Sequence, residues 1–201
     1  MRLYCATSNP GKLREFRLAA GGGWEFVPLA GAQPCEETGE TFEDNAIQKA
    51  VYYSRHAPGL LFAEDSGLEV GALGGSPGVR SARFAGEGAG DEANNRLLIE
   101  RLRGATNRAA RYVCVIALAR EGKPLRTFRG EVEGQITDEP RGANGFGYDP
   151  YFFYPPFGIT FAEAAPDRKL EVSHRGRALR QMFAWLKESR GDSQSPPTGR
   201  T

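Results

Sequence analysis

Two carboxylates stand side by side at positions 64 and 65, where the apolar run Leu60-Leu61-Phe62-Ala63 gives way to Ser66-Gly67. Adjacent anions repel, and each costs free energy to desolvate unless a positive charge meets it. A second acidic pair, Glu36-Glu37, lies upstream. Oxygen donors of this kind suit magnesium or manganese, so a divalent cation is expected among them. Candidate partners for negative charge occur in three places. In Thr7-Ser8-Asn9-Pro10-Gly11-Lys12, Asn9 is a favoured N-cap and Pro10 a favoured first helical residue. Such a start offers N–H groups and the positive end of the helix dipole to an anion, and Lys12 adds a full charge. Lys49 follows Asn45 by four residues, on one helical face. Lys169 precedes Ser173-His174-Arg175, where Ser173 can cap a helix and leave His174 and Arg175 as donors at its start.

Between these lies Gly142-Ala143-Asn144-Gly145-Phe146-Gly147-Tyr148-Asp149-Pro150. Its glycines imply unusual backbone angles or close approach, and Phe146 and Tyr148 are suited to stacking on a flat base. A capped helix, a polar stripe and a turn would each explain one segment taken singly. Together they suit a nucleoside phosphate held with a divalent cation. The P-loop spacing is absent, and the Gly-x-Gly is too short for a dinucleotide fingerprint.

The elements that must position these residues alternate between strand and helix. Residues 2–6 read as a strand, 10–20 as a helix stopped by Gly21-Gly22-Gly23, and 24–29 as a strand. Thr41 to His56 is the clearest helix, with a Thr41/Asp44 capping box and Phe42, Ala46, Ala50 and Tyr53 at helical spacing. Strands are expected at 60–64 and 68–73, a helix over 91–103, and a buried strand over 112–119. A half-exposed strand over 128–136 and a helix over 174–187 complete the series. The fold class is α/β, and the long alternating strands favour a mixed sheet.

Composition excludes several functions. The 201 residues suit one domain, expected over 1–187, and hydrophobic content is 40%. With 26 basic and 25 acidic residues the net charge is +1, which argues against nucleic-acid binding. No apolar run reaches membrane-spanning length, and the N-terminus has no apolar signal core, so a cytoplasmic protein is expected. Cys5 and Cys114 lie in apolar runs and read as buried thiols. Residues 188–201, rich in Ser, Pro, Gly and charge, read as a disordered tail.

The ordered set TSNPGK, EETGETFEDNAIQKA, AEDSGLEVGALGGSPGVRSARFAG, GFGYDP and SHRGRAL resembles the inosine triphosphate pyrophosphatase (Ham1-like) family from residue 2 to about 187. The resemblance implies an elongated α/β fold with a central mixed sheet, two lobes around a deep nucleotide cleft, and a homodimer. It implies Mg²⁺-dependent hydrolysis of ITP, dITP and XTP to the monophosphate and pyrophosphate, with Mn²⁺ able to substitute. Carried over by motif, Thr7, Ser8, Asn9, Pro10, Gly11 and Lys12 would form the phosphate loop, and Lys49 would reach the phosphates. Glu37 and Asp65 would hold the metal, and Asp65 would activate the attacking water, with Ser66 beside it. Phe146, Gly147, Tyr148 and Asp149 would frame base and sugar, and Lys169, His174 and Arg175 would close the base pocket.

Three alternatives have sequence signals of their own. Gly74-Gly75-Ser76-Pro77-Gly78 matches G-x-S-x-G, but Pro77 has no N–H to serve an oxyanion. A nucleotide sensor needs no water-activating carboxylate, and Maf-type pyrophosphatases do not combine GFGYDP with SHR.

Overall fold

The computed structural model describes residues 2–21 and 23–191. A seven-stranded sheet runs through it in the order β2-β1-β3-β4-β5-β6-β7. The strands are β1 (Arg2–Ala6), β2 (Glu25–Pro28), β3 (Leu61–Val70), β4 (Ala109–Arg120), β5 (Lys123–Ile136), β6 (Phe152–Tyr154) and β7 (Ile159–Thr160). β1 is parallel to β2 and β3, and every later pairing is antiparallel, so the sheet is mixed as the alternation implies. Among the described residues five α-helices flank it: α1 (Pro10–Ala20), α2 (Phe42–Ser54), α3 (Asp91–Arg101), α4 (Pro166–Val172) and α5 (His174–Gly191).

Opposite faces of the sheet carry different helices. On one face, Phe42, Ala46 and Ala50 of α2 pack on Ala63, Val113 and Val115, where small strand residues let the helix sit close. On the other, Phe16 of α1 and Leu179 and Met182 of α5 pack on Phe62, Cys114 and Ile116. Farther along the same strands, Leu68 and Val70 join Leu98 of α3, Leu102 just past its end and Phe152 in a separate cluster. Each fully buried side chain of this size contributes roughly 1.5–3 kcal/mol. The latter two clusters flank the middle of β3, and Glu64 and Ser66 fall between them. This division into two cores explains a cleft at that point.

The expected break at Ser66-Gly67 does not occur, because β3 runs unbroken from Leu61 to Val70. Gly67 is there for close approach rather than for a turn. A Cβ on it would lie 2.4 Å from Ser81 Oγ and 2.5 Å from the Gly78 carbonyl oxygen. Ser81 Oγ then accepts the Leu68 N–H at 2.9 Å. β4 and β5 exceed their expected spans because they form one long hairpin, Arg120 pairing with Lys123 across a two-residue turn. α4, β6 and β7 have no counterpart in the sequence reading, being too short to show a period. α5 continues to Gly191, past the expected boundary at 187, and the rest of the expected tail lies outside the described residues. Among the described residues no helix is long and apolar enough to cross a membrane. Cys5 and Cys114 are free and buried.

Candidate active site

Successive residues on a strand point to opposite faces, and that separates Glu64 from Asp65. Glu64 shares the α1/α5 face with Phe62, whereas Asp65 shares the α2 face with Ala63. One cation shared by both carboxylates is therefore not what makes their adjacency tolerable, contrary to expectation. Each has its own protein cation.

Glu64 is 3% exposed and accepts from Arg175 Nε at 2.8 Å and Arg175 Nη2 at 3.0 Å. Lys12 Nζ approaches its Oε1 at 2.9 Å. Burial alone would raise the Glu64 pKa, but Arg175 and Lys12 outweigh it and hold it well below the usual carboxylate range. Arg175 Nη2 also reaches Ser66 Oγ at 3.0 Å, and its Nη1 meets Glu15 of α1. Glu15 in turn accepts from Lys169 Nζ at 2.7 Å, and Lys169 also pairs with Asp149. Three cations thus face three carboxylates in a mostly buried chain.

The aromatic loop closes this chain into a pocket. Asp149 accepts the Phe146 N–H at 3.0 Å and the Tyr112 hydroxyl at 3.3 Å. Gly145 makes that turn possible: its φ is 75°, and a Cβ would lie 2.0 Å from Asp149 Oδ2. The Phe146 ring lies under Lys169 at 5.1 Å and Arg175 at 5.5 Å. His174, 4% exposed, stacks on Tyr112 at 4.6 Å and 11° between planes. Burial, reinforced by Arg175, holds the His174 pKa well below its usual value, so the ring is neutral. Its Nδ1 is buried without a protein partner. Asn9, Lys12, Ser66, Phe146 and His174 all line the resulting cavity.

On the other face, Asp65 Oδ1 accepts from Lys49 Nζ at 2.9 Å, and Glu37 Oε1 meets the same nitrogen at 3.2 Å. Asn45 Nδ2 donates to Asp65 Oδ2 at 3.3 Å. α2 supplies Asn45 and Lys49 from one face, as their spacing implies. It also pins the loop that bears Glu37. Asn45 Oδ1 accepts the Gly39 N–H at 2.8 Å, and Gln48 Oε1 accepts the Thr38 N–H at 3.2 Å. Burial raises the Asp65 pKa against the opposing pull of Lys49. Burial disfavours the Lys49 charge, yet Asp65 and Glu37 outweigh it and raise its pKa. Two carboxylates against one ammonium leave a net negative charge with oxygen donors only, which fits a hard divalent cation. Among the described residues no group of three or more His, Cys, Asp or Glu side chains could hold a metal ion, so Glu37 and Asp65 stand without Glu64.

The α1 start differs from expectation in one respect. Asn9 Oδ1 itself accepts from Gly11 N at 2.8 Å and Lys12 N at 3.1 Å, so these N–H groups are already engaged. Thr7 Oγ1 accepts the Asn9 N–H at 3.2 Å, and Ser8 and Pro10 are exposed; of the expected phosphate loop only Asn9 and Lys12 line the cavity. Glu15, Tyr112 and Asp91 are site neighbours that the sequence reading does not single out. For Glu15 a signal exists, since it lies three residues after Lys12 and hence on the same helical face. Tyr112 carries none, being one apolar-run residue among many.

The sequence profile of the Ham1 family matches residues 3–185. A protein of Acidobacterium capsulatum named dITP/XTP pyrophosphatase is 51% identical over 199 residues, covering 92% of this chain and 98% of that one. A Thermus thermophilus protein of the same name is 45% identical over 194 residues, covering 94% and 93%. The solved structure of a HAM1 protein from Coxiella burnetii superposes with a TM-score of 0.84 at 39% identity, covering 94% of this chain and 99% of that one. With its mixed sheet, its cleft and this degree of identity along nearly its whole length, the chain belongs to the Ham1 family.

Proposed function

We propose that the protein hydrolyses deaminated purine nucleoside triphosphates, dITP, XTP and ITP, to the monophosphate and pyrophosphate. The observation that carries this reading is the opposed placement of Glu64 and Asp65 at one point of β3. One face offers a neutral-histidine, aromatic pocket of purine character, and the other a carboxylate beside Lys49. The names borne by the relatives agree with it.

In this reading the base enters between Phe146 and the Tyr112–His174 stack. The hypoxanthine or xanthine C6 carbonyl meets His174, whose Nδ1 otherwise lacks a partner. With the proton of the neutral ring on Nδ1, an adenine amino group would confront a donor with a donor, and buried unpaired groups of this kind can reject an analogue by ~10⁴. Most Arg175 hydrogens are spent on Glu64, Ser66 and Glu15, so it acts chiefly by holding the pocket in shape. Lys12 and Lys49 meet the phosphates. Glu37 and Asp65 would hold a divalent cation, Mg²⁺ or Mn²⁺, which when bound neutralises triphosphate charge. Asp65 takes the proton of the attacking water, the water oxygen bonds to the α-phosphorus, and the α–β anhydride bond breaks with pyrophosphate leaving. A single domain over 1–187, a homodimer and a cytoplasmic setting complete the proposal.

The test is a panel of dITP, XTP, ITP, ATP and GTP with released pyrophosphate as the readout. The reading expects turnover of the first three, rejection of the last two, and loss of activity in EDTA restored by Mg²⁺ or Mn²⁺. Equal turnover of ATP would remove the substrate assignment, and undiminished hydrolysis in chelator would remove the metal.

A further inference from the structure

We infer that Asp91, Asn94 and Asn95, at the start of α3, are positioning residues that set nucleotide affinity by clamping two segments of the base pocket's lining. The inference rests on the proposed function only for the identity of the ligand. The peptide groups flanking Gly147 are held at both poles. Asp91 Oδ2 accepts the Gly147 N–H at 2.6 Å, and Asn95 Nδ2 donates to the Gly147 carbonyl oxygen at 2.9 Å. Asp91 and Asn95 are four apart, so one helical face grips both atoms. Phe146 and Tyr148, the aromatic neighbours of Gly147, are thereby fixed relative to the helix.

Asn94 performs the same service for a second segment of the lining. Its Oδ1 accepts the Ala85 N–H at 2.8 Å, and its Nδ2 donates to the Ala82 carbonyl oxygen at 3.2 Å. Ser81 and Ala82, in the 3₁₀ segment Gly78–Arg83, line the same pocket as Gly147 and Tyr148. The Tyr148 hydroxyl closes the brace by donating to the Ser81 carbonyl oxygen at 2.8 Å. The helix can bear this load because Leu98 and Leu102, both fully buried, anchor it in the core beyond. Asn95 is 8% exposed, and its Oδ1 has no partner. An amide buried at that cost is present for its N–H, which points at the loop.

None of the three residues touches the Asp65 side, so loosening the clamp predicts weaker nucleotide binding with the chemical step intact. Asn95→Asp is isosteric and replaces the donor facing Gly147 by an acceptor. Asp91→Ala removes the acceptor, and Asp91→Asn keeps an oxygen there. Wild-type turnover of dITP is measured first, and it alone tests the proposed reaction. The variants are then compared for kcat, KM and Tm, and for the Kd of inosine monophosphate by calorimetry, a readout that survives even if dITP is not turned over. The expected result is a KM and Kd raised about tenfold in Asn95→Asp and Asp91→Ala, kcat within about twofold, and most of the affinity regained in Asp91→Asn. An unchanged Kd in both impaired variants overturns the inference. So does a fall in kcat matched by a large fall in Tm without a change in Kd, which would mark α3 as framework only.

Discussion

Glu64 and Asp65 are neighbours in the chain and opposites in circumstance. Glu64 is locked by a two-pronged guanidinium and a lysine, and its pKa is driven well down. Asp65 has one ammonium, shared with Glu37, and a weak amide contact, and burial pushes its pKa up. Such divergent environments assign different roles to chemically similar groups. A carboxylate this heavily paired is a poor proton acceptor and a good fixed strut. A carboxylate of raised pKa beside a net negative charge is the one fitted to take a proton or attract a cation. In the proposed reaction the α1/α5 face therefore builds shape, and the α2 face would supply the reactive group.

The largest expected break in that contrast comes from Asp65→Asn. An amide cannot take a proton, so kcat falls by ~10²–10⁴ while Tm stays close to that of the wild type. Activity within a few-fold of wild type, by pyrophosphate release, would move the base off the α2 face. Arg175→Ala attacks the other face and leaves Glu64 and Glu15 buried without their main partner. A buried pair broken in this way costs about 3–5 kcal/mol, to be read from urea unfolding. A loss near zero would mean that Lys12 and Lys169 suffice.

Acid titration sharpens the same contrast. Glu15 starts from an ordinary value of 4.5, and although burial pushes upward, Arg175 and Lys169 bring it to about 2. A depressed carboxylate contributes stability that is complete above its unfolded pKa and is lost as pH falls through the folded one. The stability difference between wild type and Glu15→Gln, at most about 3 kcal/mol, should thus be full above pH ~4.5 and close as pH drops toward 2. A difference that does not vary with pH would show that Glu15 acts by packing alone. The smallest effect belongs to Gly11→Ala, whose Cβ would lie 2.5 Å from Phe146 Cδ1. The ring must shift, so KM should rise by about threefold to tenfold with kcat little changed. An unaltered KM would mean that Phe146 is free to move without consequence to the base.

Much of this molecule was legible as local pattern. Asn9 and Pro10 announced the start of α1, Thr41 that of α2, and Ser173 that of α5, because capping is written within four residues. Lys49 and Asn45 on one face followed from helical period. The Gly-aromatic loop and SHR segment were visible by composition and by likeness to the family. Less legible were the pieces whose meaning depends on something distant. Ser66-Gly67 looks like a turn until Ser81 and Gly78 are brought against it, and α4 is too short to show a period.

By itself, then, the sequence determined the alternation of elements, the mixed sheet, the family and the set of charged and aromatic residues available for chemistry. Tertiary structure alone decided how they pair. The contact between Arg175 and Glu64 spans 111 positions and that between Arg175 and Glu15 spans 160. No local rule can choose among so many lysines, arginines and carboxylates of equal chemical type. Burial does choose, because a charge removed from water must lie against whatever opposite charge the packed helices and strands carry to the same point. The strand pleat then sends Glu64 and Asp65 to different partners, although nothing in their order along the chain tells them apart.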